Sequence, residues 1–268
     1  MNRITLTTLQ AMKKAGEKIA CLTAYDSSFA ALLEEAGVEL LLVGDSLGMV
    51  IQGRDTTLPV MLDEMIYHTR CVASGSQRAL LVADMPFMAD ADPSQALFSA
   101  GRLMKEGGAQ MVKLEGGAMQ LETVRRLAEH GIPVCAHLGL LPQSVHKLGG
   151  YKVQGRDAET ARQIREDALA LQEAGADMLL LECVPAALGA EISRRVHIPV
   201  IGIGAGPDCD AQVLVLYDML GITPGKRPGF SHDFISDAGA ELGGIVDAVR
   251  RYVEAVKSGS FPAKQHCF

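Results

Sequence analysis

Residues 40–48 read LLLVGDSLG, four apolar residues that lead into a glycine, an aspartate and a serine. A short, continuously apolar run bounded by a turn signal is typical of a strand buried on both faces, as in a parallel sheet covered by helices. The glycine marks the turn that follows the strand. The stretch therefore predicts a buried strand whose following turn carries a polar pair, Asp45 and Ser46.

The same pattern recurs along the chain. Short apolar runs are separated by segments with helical spacing, and several of these segments end on a glycine before the next run, as in EAGV, EGGA and EAGA. Eight strand–helix units in 268 residues favour a closed (β/α)8 TIM barrel, with an open doubly wound sheet as the alternative. The runs cover residues 19–26, 40–46, 79–86, 111–117, 133–139, 178–185, 199–206 and 212–221.

Helices are also predicted on both flanks of the repeat. Residues 5–16, TLTTLQAMKKAG, are expected to form an extra N-terminal helix that caps the barrel floor. After residue 221 we expect C-terminal helices, among them an amphipathic helix near residues 243–256. No segment has the composition of an interdomain linker, so a single domain is predicted over residues 1–268.

Composition argues against several classes of protein. The apolar and charged fractions, 48% and 21%, are those of an ordinary globular protein, and the net charge of −7 gives no electrostatic basis for binding nucleic acid. With no signal-peptide core and no apolar run of about 18 residues, we expect a cytoplasmic protein without a membrane partner. The six cysteines lack a C-x-x-C pair, which predicts reduced thiols rather than disulfides or a zinc site.

Polar residues interrupt the apolar runs near their carboxyl ends, where a barrel of this kind builds its active site. Lys113 and Glu115 are two residues apart, so on a strand both point to the same side. The four carboxylates in this set could not be buried together without a cation, which we expect to be Lys113, a divalent metal ion, or both. The complete set is Asp45, Ser46, Asp84, Lys113, Glu115, His137 and Glu182.

The candidate ligands are oxygen donors, which favour Mg²⁺ over zinc, although Mn²⁺ or Co²⁺ would accept the same donors. Mg²⁺ usually keeps several waters and takes only one or two carboxylates. We therefore predict Asp45 and Asp84 as direct metal ligands and Glu115 as a third ligand that acts directly or through water. The alternative for each aspartate is that it caps the following helix.

Glu182 follows the apolar residues MLLL, and such surroundings disfavour an ionised carboxylate, which suits a general base. A salt-bridged structural glutamate is the alternative.

Two further segments are open to interpretation. GIGAG at 202–206 could be a phosphate-binding loop or a tight turn. The long segment 137–157 could act as a lid over the site.

Seven blocks of the chain have distinctive sequences: VGDSLGMVIQGRDTTLPV, LVADMPFM, MVKLEGG, HLGLLPQSV, GGYKVQGR, LLECVP and IPVIGIGAG. Together these blocks closely resemble the ketopantoate hydroxymethyltransferase family. The resemblance extends from about residue 9 to the C-terminal SGSFPAKQHCF. It implies a (β/α)8 barrel that uses Mg²⁺ to transfer a hydroxymethyl group from 5,10-methylenetetrahydrofolate to 3-methyl-2-oxobutanoate, giving ketopantoate for pantothenate biosynthesis. It also implies a homo-oligomer, commonly a decamer.

The resemblance also assigns roles to particular positions. Glu182 corresponds to the proton-abstracting glutamate of the family and His137 to its active-site histidine. No site position departs from the family pattern, although Pro224 and Lys226 stand where members of the family vary. Two alternatives remain, a metal-dependent lyase that cleaves a carbon–carbon bond next to a 2-oxo acid, and a non-catalytic barrel. The implied metal ligands are Asp45, Asp84 and Glu115, and the implied substrate contacts are Asp45, Ser46, Asp84 and Lys113.

Overall fold

A computed structural model describes residues 3–225, 227–236 and 244–268. Eight parallel strands close into a barrel in chain order, with the last strand hydrogen-bonded to the first. Seven strands lie within their predicted runs, and the eighth begins one residue before its run, at Ala211. The barrel prediction is confirmed, and the open-sheet alternative is wrong. The strands are β1 Ile19–Thr23, β2 Leu40–Val43, β3 Leu80–Asp84, β4 Met111–Glu115, β5 Val134–Gly139, β6 Met178–Glu182, β7 Val200–Ile203 and β8 Ala211–Leu214.

Helices surround this barrel, and the side chains that begin them agree with the sequence pattern. Asp92 and Asp157 accept backbone N–H groups in the first turns of the helices that they precede, as N-caps do. The predicted C-terminal helix is Ile245–Ser258, and residue 243 lies outside the described residues. The helices are α1 Leu6–Ala15, α2 Ser27–Glu35, α3 Leu47–Val50, α4 Leu62–Gly75, α5 Pro93–Arg102, α6 Leu121–Glu129, α7 Val145–Leu148, α8 Ala158–Ala174, α9 Ala186–Arg195, α10 Leu216–Met219 and α11 Ile245–Ser258.

The N-terminal helix closes the barrel floor, as predicted. Ile4 and Leu9 belong to the same buried apolar cluster as the inward-facing side chains of the strands. Lys13 reaches from α1 to Asp210 at the start of β8, with 2.6 Å between its Nζ and Oδ2. None of the helices in the described part of the chain is long and apolar enough to cross a membrane.

Side chains alternate between the inside and the outside of the barrel. On β1, Ile19 and Cys21 fill the interior, whereas Ala20 and Leu22 pack under the helices. On four other strands the inward-facing series begins apolar and ends polar. These series are Leu80, Val82 and Asp84 on β3; Met111, Lys113 and Glu115 on β4; Cys135 and His137 on β5; and Met178, Leu180 and Glu182 on β6. The two-residue period thus directs polar side chains into the carboxyl end of the barrel, hereafter the mouth.

A second regularity occurs at the floor. A polar residue directly precedes each even-numbered strand and accepts a hydrogen bond from an early backbone N–H of the odd-numbered strand before it. These acceptors serve buried donors that would be costly to leave without a partner. The four bonds run from Ala20 N to Glu39 Oε2 (2.8 Å), Leu81 N to Gln110 Oε1 (3.1 Å), Val134 N to Asp177 Oδ2 (3.0 Å) and Val200 N to Asp210 Oδ2 (2.9 Å).

Candidate active site at the barrel mouth

Lys113 is buried among the polar side chains of the mouth. Its Nζ lies 3.0 Å from Asp84 Oδ1 and 3.3 Å from His137 Nδ1. Burial lowers the pKa of Lys113, but Asp84, Glu115 and then Asp45 outweigh this effect and raise the pKa above its ordinary value. The ammonium group therefore stays charged and offsets part of the surrounding negative charge.

Asp45 and Asp84 meet through the turn after β2. The Asp45 backbone N–H donates to Asp84 Oδ2 at 3.0 Å. Burial and then the neighbouring Asp84 raise the pKa of Asp45 to about 7, against the opposing effect of Lys113. Burial also raises the pKa of Asp84. Neither carboxylate caps the following helix, because the N-cap residue is Ser46 for α3, which follows Asp45, and Asp92 for α5, which follows Asp84.

His137 lies between two glutamates. Its Nδ1 is 3.6 Å from Glu115 Oε1, and its Nε2 is 3.4 Å from Glu182 Oε2. Burial and then Lys113 lower the pKa of His137 well below its ordinary value, so the ring is neutral. Because the Lys113 ammonium can only donate, we assign Nδ1 as an acceptor and place the proton on Nε2, which faces Glu182.

Glu182 ends β6, and its side chain is 14% exposed at the mouth. Burial raises the pKa of Glu182 to about 8, with Lys113 opposing the shift. Among the described residues it has no lysine or arginine ion-pair partner, which argues against a salt-bridged structural role. The neighbouring strand β5 lies close to the Glu182 backbone at Gly139. There the backbone φ is +94°, and a Cβ atom would lie 2.2 Å from the Glu182 carbonyl oxygen.

Ser46 joins the same group. A Cβ built on Gly44 would be 2.8 Å from Ser46 Oγ and 3.6 Å from Asp84 Oδ2, so both polar atoms lie against the same turn. The Ser46 hydroxyl also hydrogen-bonds the buried Tyr25 hydroxyl at 2.9 Å. The structure therefore brings together all seven residues that the sequence predicted for the site.

Sequence reasoning missed two residues that contact this group. Tyr25 lies within the first predicted run, 19–26, as polar site residues do in other runs, so a signal for it was present. Gln143 lies in the loop after β5 and donates to Asp45 Oδ2 at 2.9 Å. Its place in the motif HLGLLPQSV was visible in the sequence, but the direction of its side chain was not.

The donor set bears on whether a metal ion fits. In the described ranges no group of three or more His, Cys, Asp or Glu side chains is arranged to hold a metal ion. However, Asp84 Oδ1 is buried without a well-oriented hydrogen bond from a described residue, despite the nearby ammonium group. A pair of adjacent carboxylates with an oxygen available fits Mg²⁺, which takes its remaining ligands from water and substrate.

Other predicted features have mixed outcomes. At Gly206, with φ of +87°, a Cβ would lie 2.9 Å from the Ala186 Cα, so close packing explains this glycine and supports the tight-turn interpretation of GIGAG. The loop after β5 contains a 3₁₀ turn, Pro142–Ser144, and α7. Its role as a lid stays a prediction. Pro224 is described, whereas Lys226 lies outside the described residues.

The closed barrel with its acidic, lysine-containing mouth defines the class, a (β/α)8-barrel protein with an enzyme-like site at the carboxyl ends of the strands. Phosphoenolpyruvate phosphomutase from Streptomyces platensis subsp. rosaceus has a similar fold, with a TM-score of 0.61 and 15% identity over 81% of this chain and 83% of that one. At this identity the likeness concerns the fold alone.

Sequence comparison defines the family. The model of the family described as "Ketopantoate hydroxymethyltransferase" matches residues 3–264. A Nitrosococcus oceani protein described as "3-methyl-2-oxobutanoate hydroxymethyltransferase" is 63% identical over 98% of both chains. A Shewanella loihica protein with the same description is 55% identical over the full length of both. The chain belongs to the ketopantoate hydroxymethyltransferase family.

Proposed function

We propose that this enzyme transfers a hydroxymethyl group from 5,10-methylenetetrahydrofolate to 3-methyl-2-oxobutanoate, giving ketopantoate (2-dehydropantoate) for pantothenate biosynthesis. Relatives that carry this activity in their description support the choice of substrate. The structural observation that carries the proposal is the position of Glu182. Its carboxylate, with a pKa raised to about 8, faces a mouth where buried acids surround Lys113.

The reaction requires two events at one carbon. The carbon next to the ketone, C3 of the substrate, loses a proton and then forms a bond to the one-carbon unit of the folate. Water supplies the hydroxyl group of the product, the bonds from the one-carbon unit to the folate nitrogens break, and tetrahydrofolate leaves. Glu182 removes the proton, because a buried carboxylate with a raised pKa is a strong base once it is ionised. His137 Nε2 lies 3.4 Å from Glu182 Oε2 without a well-oriented hydrogen bond from a described residue, so it places a polar N–H group beside the base.

The substrate presents a carboxylate, and the mouth offers two groups to bind it. Lys113 supplies a charged donor, and the hydroxyl of Ser46, oriented by Tyr25, supplies a neutral one. A charge-assisted hydrogen bond is roughly twice as strong as a neutral one, so Lys113 is expected to provide most of the affinity and Ser46 to set the orientation.

Asp45 and Asp84 would hold Mg²⁺ in this site and would contact the substrate there, and Glu115 would be a third ligand that acts directly or through water. The ion, when bound, supplies Lewis-acid stabilisation of the negative charge that develops on the keto oxygen. The Lys113 ammonium, 3.0 Å from Asp84, places a further positive charge beside this site. The raised pKa values of Asp45 and Asp84 indicate that these carboxylates lack sufficient positive charge without a further cation.

Two alternatives can now be weighed. The non-catalytic barrel is wrong, because the chain belongs to a family of enzymes. A lyase acting next to a 2-oxo acid would share the proton-removal chemistry, but the structural likeness to 2,3-dimethylmalate lyase is at 16% identity and concerns the fold alone. Family membership favours hydroxymethyl transfer.

A product assay tests the reaction. The protein is incubated with 3-methyl-2-oxobutanoate in D₂O, with and without 5,10-methylenetetrahydrofolate, and the products are followed by NMR. We expect ketopantoate only when the folate is present, and deuterium incorporation at C3 without it. Folate-independent cleavage of a longer 2-oxo acid, with no ketopantoate formed, would support the lyase instead.

A second test concerns the acids. Asp84→Ala is expected to weaken the Mg²⁺-dependent binding of 3-methyl-2-oxobutanoate, measured by titration calorimetry. Undiminished binding would count against Asp84 as a metal ligand.

The decameric assembly and the cytoplasmic location stay predictions. Sedimentation velocity would measure the number of subunits in the assembly.

A further inference from the structure

Gln143 lies in the loop after β5 and contacts residues at the ends of three other strands. It lies in the 3₁₀ turn Pro142–Ser144, between β5 and α8. Its side-chain Nε2 donates to Asp45 Oδ2 and to the Met85 carbonyl oxygen, both at 2.9 Å. Its backbone N–H donates to Glu115 Oε2 at 3.1 Å. One residue therefore bridges the carboxyl ends of β2, β3 and β4.

The orientation of the Gln143 amide is determined by its acceptors. Both hydrogens of the NH₂ group are used, one by the Asp45 carboxylate and one by the Met85 carbonyl. Turning the amide over would place its oxygen against two other oxygens, which is unfavourable. The amide therefore holds one oxygen of the Asp45 carboxylate, Oδ2, in a fixed position.

We propose that Gln143 is a positioning residue that orients the Asp45 and Glu115 carboxylates for a divalent cation and makes that orientation depend on the loop being closed. This inference rests on the proposed function, because it concerns the same site. Outer hydrogen-bond partners of this kind orient ligating carboxylates and tune the affinity for the metal.

The loop is also attached on the other side of the mouth. The Gln154 backbone N–H donates to the Cys183 carbonyl oxygen at 2.9 Å, directly after Glu182. Between these two attachments, Lys147 and Lys152 are exposed. The loop can therefore be probed with trypsin, whose cleavage after Lys147 reports how often the segment leaves the mouth.

The test compares two variants in the same loop. Gln143→Leu removes both amide donors but keeps the backbone N–H. Gln154→Leu is the matched control, since the Gln154 side chain donates only to the nearby Lys152 carbonyl, at 2.9 Å, and makes no described contact with the mouth. The affinity for Mn²⁺ is measured by electron paramagnetic resonance on the full chain without substrate, and cleavage after Lys147 is followed by mass spectrometry.

We expect Gln143→Leu to raise the Kd for Mn²⁺ about tenfold or more and to accelerate cleavage after Lys147, with Gln154→Leu behaving as wild type. If Gln143→Leu fails to fold by circular dichroism, Gln143→Met, which keeps the side-chain length without the donors, takes its place. Wild-type Mn²⁺ affinity in the variant overturns the inference and leaves the proposed reaction intact. Weaker binding with an unchanged cleavage rate overturns the dependence on loop closure.

A wild-type protein that binds no Mn²⁺ is a different result. It overturns the proposed metal site, and with it this inference, and it is recognised before any variant is measured.

Discussion

The floor and the mouth of the barrel use the same residue types in opposite ways. At the floor, Asp210 accepts from the Lys13 ammonium, the Ser193 hydroxyl and a backbone N–H, at 2.6, 3.0 and 2.9 Å. Glu39 likewise accepts from Lys257 and from the Ala20 backbone N–H. These carboxylates are matched with several donors each, and their contacts join strands and helices that are distant in the sequence.

At the mouth, hydrogen-bond donors are few compared with the number of carboxylates. Asp45, Asp84, Glu115 and Glu182 are all buried or nearly so, and their pKa values are raised chiefly by burial. Lys113 is their shared ammonium group. The difference shows that burial alone does not decide what a carboxylate does. Well-matched acids stabilise the fold, whereas under-matched acids cost stability and remain available to bind a cation or a proton.

Asp177 is an instructive intermediate. It belongs to the floor series but accepts a single backbone N–H, from Val134 at 3.0 Å, and has no ion-pair partner among the described residues. Burial raises its pKa, as it does for the mouth acids. The number of donors therefore accounts for Asp177. Asp84 has an ammonium and a backbone N–H beside it, as Glu39 does, and differs from Glu39 in being more deeply buried.

The largest expected effect is at the mouth. Glu182→Gln should slow exchange of the substrate C3 proton with solvent, and turnover, by about 100- to 10,000-fold, the range that general base catalysis supplies. Deuterium incorporation measured by NMR tests this, with calorimetry showing that 2-oxo acid binding survives. Glu39→Gln makes the same chemical change at the floor, and this variant should catalyse exchange of the substrate C3 proton at the wild-type rate. Full exchange in Glu182→Gln would remove this residue from the role of base.

The next effect is at the floor. Asp210→Ala leaves the Ser193 hydroxyl and the Val200 N–H without their acceptor and leaves Lys13 with the Ser193 carbonyl oxygen, so the free energy of unfolding should fall by about 3 kcal/mol. Urea unfolding measures the change, and turnover per folded molecule should be kept. Asp208→Ala, two residues away and exposed, is the control. An equal loss in both variants would show that the hydrogen bonds of Asp210 do not stabilise the floor.

The mouth should also make stability depend on pH. The pKa of Glu182 rises from 4.5 to about 8 on folding, so between these values the folded chain holds a proton that the unfolded chain has lost. Stability from this group is complete below pH 4.5 and declines as pH rises towards 8, by up to about 1.4 kcal/mol per pH unit. Asp45 and Asp84 act in the same direction.

The difference between wild type and Glu182→Gln isolates this contribution. Unfolding free energies measured across pH 5 to 8, without substrate or metal, should decline less steeply in the variant. Parallel curves for the two proteins would show that Glu182 does not take up a proton on folding.

The smallest effect should follow from Glu39→Gln. The amide oxygen can still accept the Ala20 N–H, so only the ion pair with the partly exposed Lys257 is lost, and the free energy of unfolding should fall by about 1 kcal/mol or less. The difference should shrink further in high salt, because exposed charges are screened. A much larger, salt-independent loss would mean that charge, rather than the hydrogen bond, stabilises the floor.

The predicted strand runs and site residues came from different kinds of signal. The apolar runs could be recognised in the sequence because a buried parallel strand is apolar on both faces. The site residues could be recognised because burying a polar side chain in such a strand costs free energy. The floor series, one polar residue before each even-numbered strand, was present in the sequence but could not be interpreted. Its meaning depends on which strands are neighbours.

The sequence by itself determined the alternation of strands and helices, the helix-capping aspartates, and the acids placed near the carboxyl ends of the strands. These are local properties, set by periodicity and by the cost of burying charge. Only the tertiary structure decided that the sheet closes, that Lys113 lies between Asp84 and His137, and that Gln143 reaches Asp45 across 98 residues of chain. Contacts between distant segments depend on strand register and loop path, and neither of these is encoded in a short stretch of residues.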